Sequence, residues 1–178
     1  RDRVGARAMN AQAMPAPALR PFLPADVPEL AMIFRASVEE LTGEDYSEAQ
    51  QEAWMAVADD EATFGARLAG MLTIVATIGG MPVGFAALKG ADHIDMLYVH
   101  PDFARRGIGS ALCDALEKLA GARQARRLTT DASDTALPFF EQRGYLPQHR
   151  NTVMLGEEWL GSTRMEKTLP AAGEGQVS

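Results

Sequence analysis

The stretch 94–112, IDMLYVHPDFARRGIGSAL, constrains the fold more than any other part of the chain. It predicts a buried β-strand that ends at His100-Pro101, then a loop with Gly107 and Gly109 that opens directly onto a helix. Apolar residues recur at helical spacing after the loop, at Ile108, Ala111, Leu112, Ala115, Leu116 and Leu119. A strand that leads through a glycine loop into an amphipathic helix indicates a mixed α/β fold.

The same loop predicts a phosphate-binding site. Backbone N–H groups are unpaired at a helix N-terminus, which carries the positive end of the macrodipole, and glycines let a ligand approach them closely. Arg105 and Arg106 add positive charge. A dinucleotide fingerprint requires a glycine where Leu112 stands, and a Walker loop requires a lysine that this loop lacks, so both motifs are excluded.

The rest of the chain alternates predicted strands and helices. Further strands are predicted at 19–22, 72–78, 83–88, 92–99, 127–131, 153–155 and 163–168. Further helices are predicted from Asp26, from Tyr46-Ser47 to about Asp59, over a short stretch to Leu68, and over 135–143. Asp26 and Glu29 have the spacing of a capping box at the first helix start.

The run from Leu68 to Leu88 contains no charged residue in 21 positions, close to the ~20 that a membrane-spanning helix needs. Gly79-Gly80-Met81-Pro82 interrupts it, and both halves are rich in β-branched residues. The run therefore predicts a β-hairpin and no membrane association.

Charge and cysteine content exclude other classes of function. With 17 Lys+Arg against 24 Asp+Glu, the net charge of −7 argues against a nucleic-acid partner. The single cysteine, Cys113, cannot form an internal disulfide, which favours a reducing cytoplasm. It forms no metal-binding spacing with His93, His100 and His149, so no metal is expected.

Composition also predicts the domain organisation. Residues 1–17 lack periodicity and are rich in Ala and Pro, which predicts a flexible leader, with Met9 and Met14 as alternative native starts. Residues 170–178 are predicted to form a flexible tail. The remaining stretch, 18–169, has a size typical of one domain.

Two motifs in this order resemble the GCN5-related N-acetyltransferase (GNAT) superfamily. The first is a strand of the type L-x-V-x-P with a loop Q/R-x-x-G-x-G/A, here 97–109; the second, A-x-x-L-Y-E-K-x-G-F, is matched by 136–145, ALPFFEQRGY. The residues 94–99 and 131–141 also resemble a bacterial subgroup. The resemblance implies an α+β fold, with a mixed, mostly antiparallel sheet of six to seven strands flanked by helices.

The resemblance implies acetyl transfer from acetyl-CoA to an amine. Backbone groups of Leu97 to Val99 would pair with the pantetheine arm, with an N–H near Leu97 or Tyr98 as oxyanion donor, and the amides of residues 105–110 would hold the pyrophosphate. The implied cofactor-binding residues are Leu97, Tyr98, Val99, Ala104, Arg105, Arg106, Gly107, Ile108, Gly109, Ser110, Ser133, Phe139 and Phe140. Ala104 replaces the family's Gln or Arg, and Phe140 replaces the tyrosine that protonates the departing thiolate.

Candidate catalytic groups follow from the need to deprotonate an amine. His93 and Asp95 share one face of a strand by period-two alternation, and Asp131 ends the next strand; each is a candidate base, with a surface or turn role as the alternative. Tyr145 is the remaining candidate acid, with core packing as its alternative.

Tyr46, Gln50 and Trp54 lie on the early helices where the superfamily builds its acceptor pocket, although core packing also explains them. The predicted acceptor is a small-molecule or peptide amine. Two other functions stay open: a non-catalytic acyl-CoA-binding module, because of Phe140, and acetylation of a macromolecule by a stress or toxin-type protein. A homodimer is common in similar proteins.

Overall fold

A computed structural model describes residues 15–171, which form a seven-stranded sheet in the order β1-β2-β3-β4-β5-β7-β6. The strands are β1 (Ala18–Pro21), β2 (Leu72–Ile78), β3 (Met81–Lys89), β4 (His93–Val99), β5 (Arg127–Ser133), β6 (Leu146–Leu155) and β7 (Glu158–Thr168). The helices are α1 (Val27–Leu41), α2 (Glu48–Met55), α3 (Glu61–Ala69), α4 (Ile108–Ala122) and α5 (Leu137–Gln142). The predicted leader and tail lie almost wholly outside the described residues.

The mixed, mostly antiparallel sheet confirms the predicted fold class. Every neighbouring pair of strands is antiparallel except β4 and β5. Helix α4 covers one face through a core that includes Leu112, Leu116 and Leu128, while α1 and α3 cover the other through a core that includes Phe34 and Phe64. Each such side chain contributes about 1.5–3 kcal/mol when fully buried.

The uncharged run forms the predicted hairpin of β2 and β3, which turns at Gly79 and Gly80 with φ of 59° and 81°. Only glycine adopts such angles without strain. Among the described residues, no helix is long and apolar enough to cross a membrane.

Strands β4 and β5 separate shortly after they begin to pair. Their parallel ladder contains only His93↔Thr129 and Ile94↔Thr130. Beyond it, β4 continues beside β3 and β5 continues beside β7. A gap therefore opens in the middle of the sheet between the second halves of these strands.

A β-bulge at Asp95 sets which backbone groups of β4 face this gap. Ile94 pairs with Leu88 but Met96 pairs with Ala87, so Asp95 is an extra residue. The His100 N–H donates to the Val83 carbonyl at 2.8 Å in the register that follows the bulge. Because hydrogen-bonded pairs alternate along an antiparallel ladder, the backbone groups of Leu97 and Val99 point away from β3, toward the gap.

Helix α4 packs directly over a glycine of β3. A Cβ on Gly84 would meet the side chains of Ile108 and Leu112 at 3.3 Å and the Tyr98 carbonyl at 3.1 Å. The close approach places the first turn of α4 at the mouth of the gap.

Several local predictions are corrected. The Asp26 carboxylate does not form a capping box with Glu29; it accepts from Arg20 at 2.8 Å and from the Leu23 N–H at 2.8 Å, since a 3-10 turn precedes α1. Strand β6 begins at Leu146 and not at 153, because an edge strand exposed along most of its length shows no apolar alternation. Strands β5 and β7 are longer, and α5 shorter, than predicted.

Candidate functional site

Two cavities meet at the gap between β4 and β5. The first, which we call the loop cavity, has a volume of about 470 Å³ and is bounded by β4, the loop before α4, and α5. The second, the hairpin cavity, has a volume of about 440 Å³ and is bounded by α2 and the β6–β7 hairpin. Six residues line both cavities: Trp54, Ile94, Asp95, Tyr98, Asp131 and Ser133. A group bound in one cavity can therefore reach a group bound in the other.

The loop cavity ends at the N-terminus of α4, where backbone amides are available. Gly107 is the N-cap residue with φ of 81°, Arg105 has φ of 62°, and no side chain caps the helix. A non-glycine residue with positive φ is uncommon and strained. The amides of the first helical turn, with the macrodipole behind them, therefore favour an anion here.

Most of the predicted cofactor-binding residues line the loop cavity. They are Leu97, Tyr98, Val99, Ala104, Arg105, Gly107, Gly109, Ser110, Ser133, Phe139 and Phe140. Arg106 and Ile108 are not among its lining residues within the described chain: the Arg106 guanidinium lies 5.6 Å from the Phe103 ring centroid, and Ile108 is buried in the core. Both belong to the predicted site only through their backbone amides.

His93 lies where β4 and β5 still pair, and its ring faces the hairpin cavity. Its Nδ1 lies 2.8 Å from the Thr129 hydroxyl, which donates to the Asp92 carbonyl at 3.3 Å. When the single proton of that hydroxyl is donated to the Asp92 carbonyl, the imidazole proton lies on Nδ1 and Nε2 is the acceptor. Nε2 lies 3.9 Å from Oδ2 of Asp131.

Burial lowers the pKa of His93, although the Asp131 carboxylate opposes the shift. The neutral imidazole is therefore the dominant form at neutral pH. A neutral imidazole with a free Nε2 can accept a proton from a group in the hairpin cavity, and the resulting cation would face Asp131.

Each candidate carboxylate pairs with an arginine that sequence analysis missed. Arg67 Nη2 lies 2.8 Å from Asp95, and Arg164 donates to Asp131 at 2.7 and 3.0 Å. Asn151 also donates to Asp131 at 3.2 Å. These partners come from α3, β7 and β6, and no local motif marks them.

Tyr46 and Trp54, two of the residues predicted for an acceptor pocket, line the hairpin cavity. The Tyr46 hydroxyl donates to the Gly161 carbonyl at 2.7 Å and accepts from the Asp134 N–H at 2.9 Å. The Trp54 N–H donates to the Tyr98 hydroxyl at 3.3 Å. Burial raises the pKa of Tyr98 to about 12, so this phenol stays protonated.

Within the described part of the chain, Gln50 lines neither cavity. It forms the capping box of α2 with Ser47, and its Nε2 donates to the Trp159 carbonyl at 2.8 Å. Gln50 therefore anchors α2 to β7 beside the cavity.

Tyr145 packs against Cys113 on the buried side of α4, and neither residue lines either cavity. Tyr145 is 1% exposed, and its hydroxyl donates to Glu117 at 3.0 Å and lies 3.7 Å from the Cys113 sulfur. Burial raises the pKa of the Cys113 thiol. These positions agree with core packing for both residues.

A family comparison covers most of the chain. The family described as acetyltransferase (GNAT) domain matches residues 42–169. An uncharacterised N-acetyltransferase of Escherichia coli, YafP, is 36% identical over 141 residues, which cover 79% of this chain and 89% of that protein.

Solved structures of other proteins are also similar to this chain. A GCN5-related N-acetyltransferase from Rhodopseudomonas palustris is 62% identical, with a TM-score of 0.86, and the match covers 88% of this chain and 98% of that one. PaiA N-acetyltransferase from Thermoplasma acidophilum, solved in complex with coenzyme A, is 18% identical with a TM-score of 0.70 over 86% of this chain and 99% of that one, so it shares the fold.

Proposed function

This chain belongs to the GNAT acetyltransferase family and is an acyltransferase, and from that premise we propose that it transfers acetyl directly from acetyl-CoA to a primary amine. The observation that carries the proposal is the meeting of the two cavities in the gap between β4 and β5. One side offers backbone amides at a helix N-terminus, and the other offers a neutral histidine.

The loop cavity has the donors that acetyl-CoA requires. We assign the pyrophosphate to the amides of residues 105–110, where left-handed Arg105 and Gly107 shape the loop. The outward backbone groups of Leu97 and Val99 would pair with the pantetheine arm as an added strand does. The coenzyme A complex of PaiA, a protein of the same fold, supports this assignment.

The bulge narrows the choice of oxyanion donor. The backbone of Tyr98 faces β3, whereas the backbone of Leu97 faces the gap. We therefore assign the thioester oxygen to the Leu97 N–H, which is fixed in place before the reaction and stabilises developing negative charge.

His93 is the proposed general base. An ammonium group must lose a proton before it can attack, and Nε2 is the free acceptor on the hairpin-cavity side. Asp131, at 3.9 Å, would stabilise the protonated ring. Asp95 is held by Arg67 and is a weaker candidate.

The departing thiolate requires a proton that Phe140 cannot supply. Ser133 lines both cavities, and its hydroxyl oxygen accepts from the Ala136 N–H at 3.1 Å, which leaves the hydroxyl proton available. Ser133, or water beside it, is the proposed donor.

The test is release of free thiol from acetyl-CoA by the full chain with a set of amines, with the acetylated product identified by mass spectrometry. Binding of acetyl-CoA without thiol release across a broad set would favour the non-catalytic module. Labelled acetyl on protein or tRNA in a lysate, with none on small amines, would favour a macromolecular acceptor.

Location and assembly are proposed on narrower grounds. The lone cysteine, Cys113, is buried and forms no disulfide within the described residues, which fits a cytoplasmic location. Exposed Leu146 and Met154 on the edge strand β6 support a homodimer. Light scattering of the purified chain would measure the assembly state.

A further inference from the structure

We propose, on the basis of the acetyl transfer above, that the acceptor is a primary monoamine with a flat apolar group. The hairpin cavity would hold that group against an aromatic wall formed by Tyr46, Trp54 and Tyr98. The inference rests on the wall, on the side chains that face it, and on the charge of the site.

The aromatic wall is rigid. Tyr46 packs edge-on against Trp54 with centroids 5.3 Å apart, and Trp54 packs edge-on against Tyr98 at 6.4 Å. Hydrogen bonds hold the polar atoms of the rings: Tyr46 to Gly161 and Asp134, and Trp54 to Tyr98. A ligand therefore meets fixed ring surfaces, which favour apolar and aromatic groups.

The opposite side of the cavity, formed by the β6–β7 hairpin, carries apolar residues beside the polar Asn151, Thr152 and Ser162. The β6–β7 hairpin contributes Val153, Leu155 and Leu160 to the lining. A cavity of about 440 Å³ between aliphatic and aromatic surfaces is large enough for a single ring and its alkylamine arm.

The charge of the cavity disfavours polycations. Its acidic lining residues, within the described chain, are Asp95 and Asp131. Arg67 neutralises the first at 2.8 Å, and Arg164 neutralises the second at 2.7 Å. A polyamine or a lysine-rich peptide would bring several positive charges to a site without surplus negative charge.

The same environment favours the reactive form of one amine. The apolar part of the lining removes water from a bound ammonium ion, which destabilises it relative to the neutral amine and lowers the amine's pKa. His93 can then remove a single proton at neutral pH, and no second cation has to be desolvated.

The test compares kcat/KM for 2-phenylethylamine, ethylamine, spermidine and a short lysine peptide at saturating acetyl-CoA. We expect 2-phenylethylamine to exceed each of the others by at least about tenfold, since ring burial adds binding energy. Preference for ethylamine, spermidine or the peptide would overturn the inference and leave the proposed function intact.

Two tryptophan variants test whether the aromatic wall causes the preference for 2-phenylethylamine. Because Trp54 also lines the loop cavity, the measured quantity is the ratio of kcat/KM for 2-phenylethylamine to kcat/KM for ethylamine, which we expect Trp54→Leu to lower about tenfold. The matched control is Trp159→Leu, because this side chain is 58% exposed and outside the cavity lining. Equal loss for both amines would indicate a general structural role for Trp54 and would contradict the inference.

A binding measurement separates this inference from the proposed function. The chain has two tryptophans, so Trp54 is the sole indole fluorophore in a Trp159→Phe variant. If no amine is acetylated, the proposed function fails, yet saturable quenching of Trp54 by 2-phenylethylamine and not by ethylamine, with coenzyme A present, would still support the part of the inference that concerns binding of a flat apolar amine in the hairpin cavity. No quenching would overturn it.

Discussion

The two cavities that meet at the sheet gap are built in different ways. The loop cavity depends on backbone groups from one nearly continuous stretch, 97–110, shaped by a bulge and a glycine. The hairpin cavity depends on side chains from α2, α3, β4, β5, β6 and β7. We infer that the first tolerates most side-chain changes and requires its conformation, whereas the second changes with single side chains.

His93→Gln should have the largest effect. Removal of a general base typically lowers kcat about 10²–10⁴-fold, and the affinity for acetyl-CoA should stay unchanged because His93 lines only the hairpin cavity. Steady-state kinetics and calorimetry measure the two quantities, with exposed His149→Gln as the control. A parallel loss of acetyl-CoA affinity would show that the two cavities are not independent.

Gly107→Val should have the next largest effect, and on the other cavity. A branched residue at φ of 81° is strained by about 1–3 kcal/mol, so the Kd for acetyl-CoA should rise about 10–100-fold. Gly121→Ala is the matched control in the same helix, since a Cβ there meets no atom within 4 Å. Unchanged affinity of Gly107→Val would contradict the backbone-built site.

The pH dependence of kcat should differ from the pH dependence of acetyl-CoA affinity, because the two quantities depend on different cavities. Because burial lowers the pKa of His93, its neutral form persists below the ordinary value of about 6.5. We expect kcat to hold its plateau down to below that pH and then to fall about tenfold per unit, while acetyl-CoA affinity shows no such transition. An acidic limb that persists in His93→Gln would assign it to another group.

Tyr145→Phe should have the smallest effect and should affect neither cavity. The change removes a hydroxyl that donates to Glu117, so the free energy of unfolding should fall by about 1 kcal/mol, or about 2–4 °C in Tm. We expect kcat to change by less than about twofold. A hundredfold loss of kcat in a folded Tyr145→Phe variant would instead support Tyr145 as the general acid.

The loop cavity was predictable from sequence because its signals are local. Gly107, Gly109 and the helix that follows predict a phosphate site within a few residues. The Asp95 bulge was not predictable, since the extra residue appears only when β4 is aligned with β3.

The hairpin cavity was predictable only in part. Tyr46 and Trp54 were predicted through family resemblance, but Arg67 and Arg164 pair with Asp95 and Asp131 across 28 and 33 positions of the chain. Hydrophobic periodicity in the sequence does not predict ion pairs between residues so far apart in the chain. Edge strand β6, which contributes Asn151 and Val153 to the lining, was mostly missed because its exposed polar sequence is similar to that of a loop.

The two hydrogen bonds of Tyr46 have a consequence for synthesis of the chain. They reach residues 88 and 115 positions later, Asp134 and Gly161. The ribosome therefore releases the residues that line the loop cavity, which end at Phe140, before it releases Gly161, the second partner of Tyr46. The hairpin cavity, whose lining extends to Ser162, is therefore the later of the two to have all of its residues synthesised.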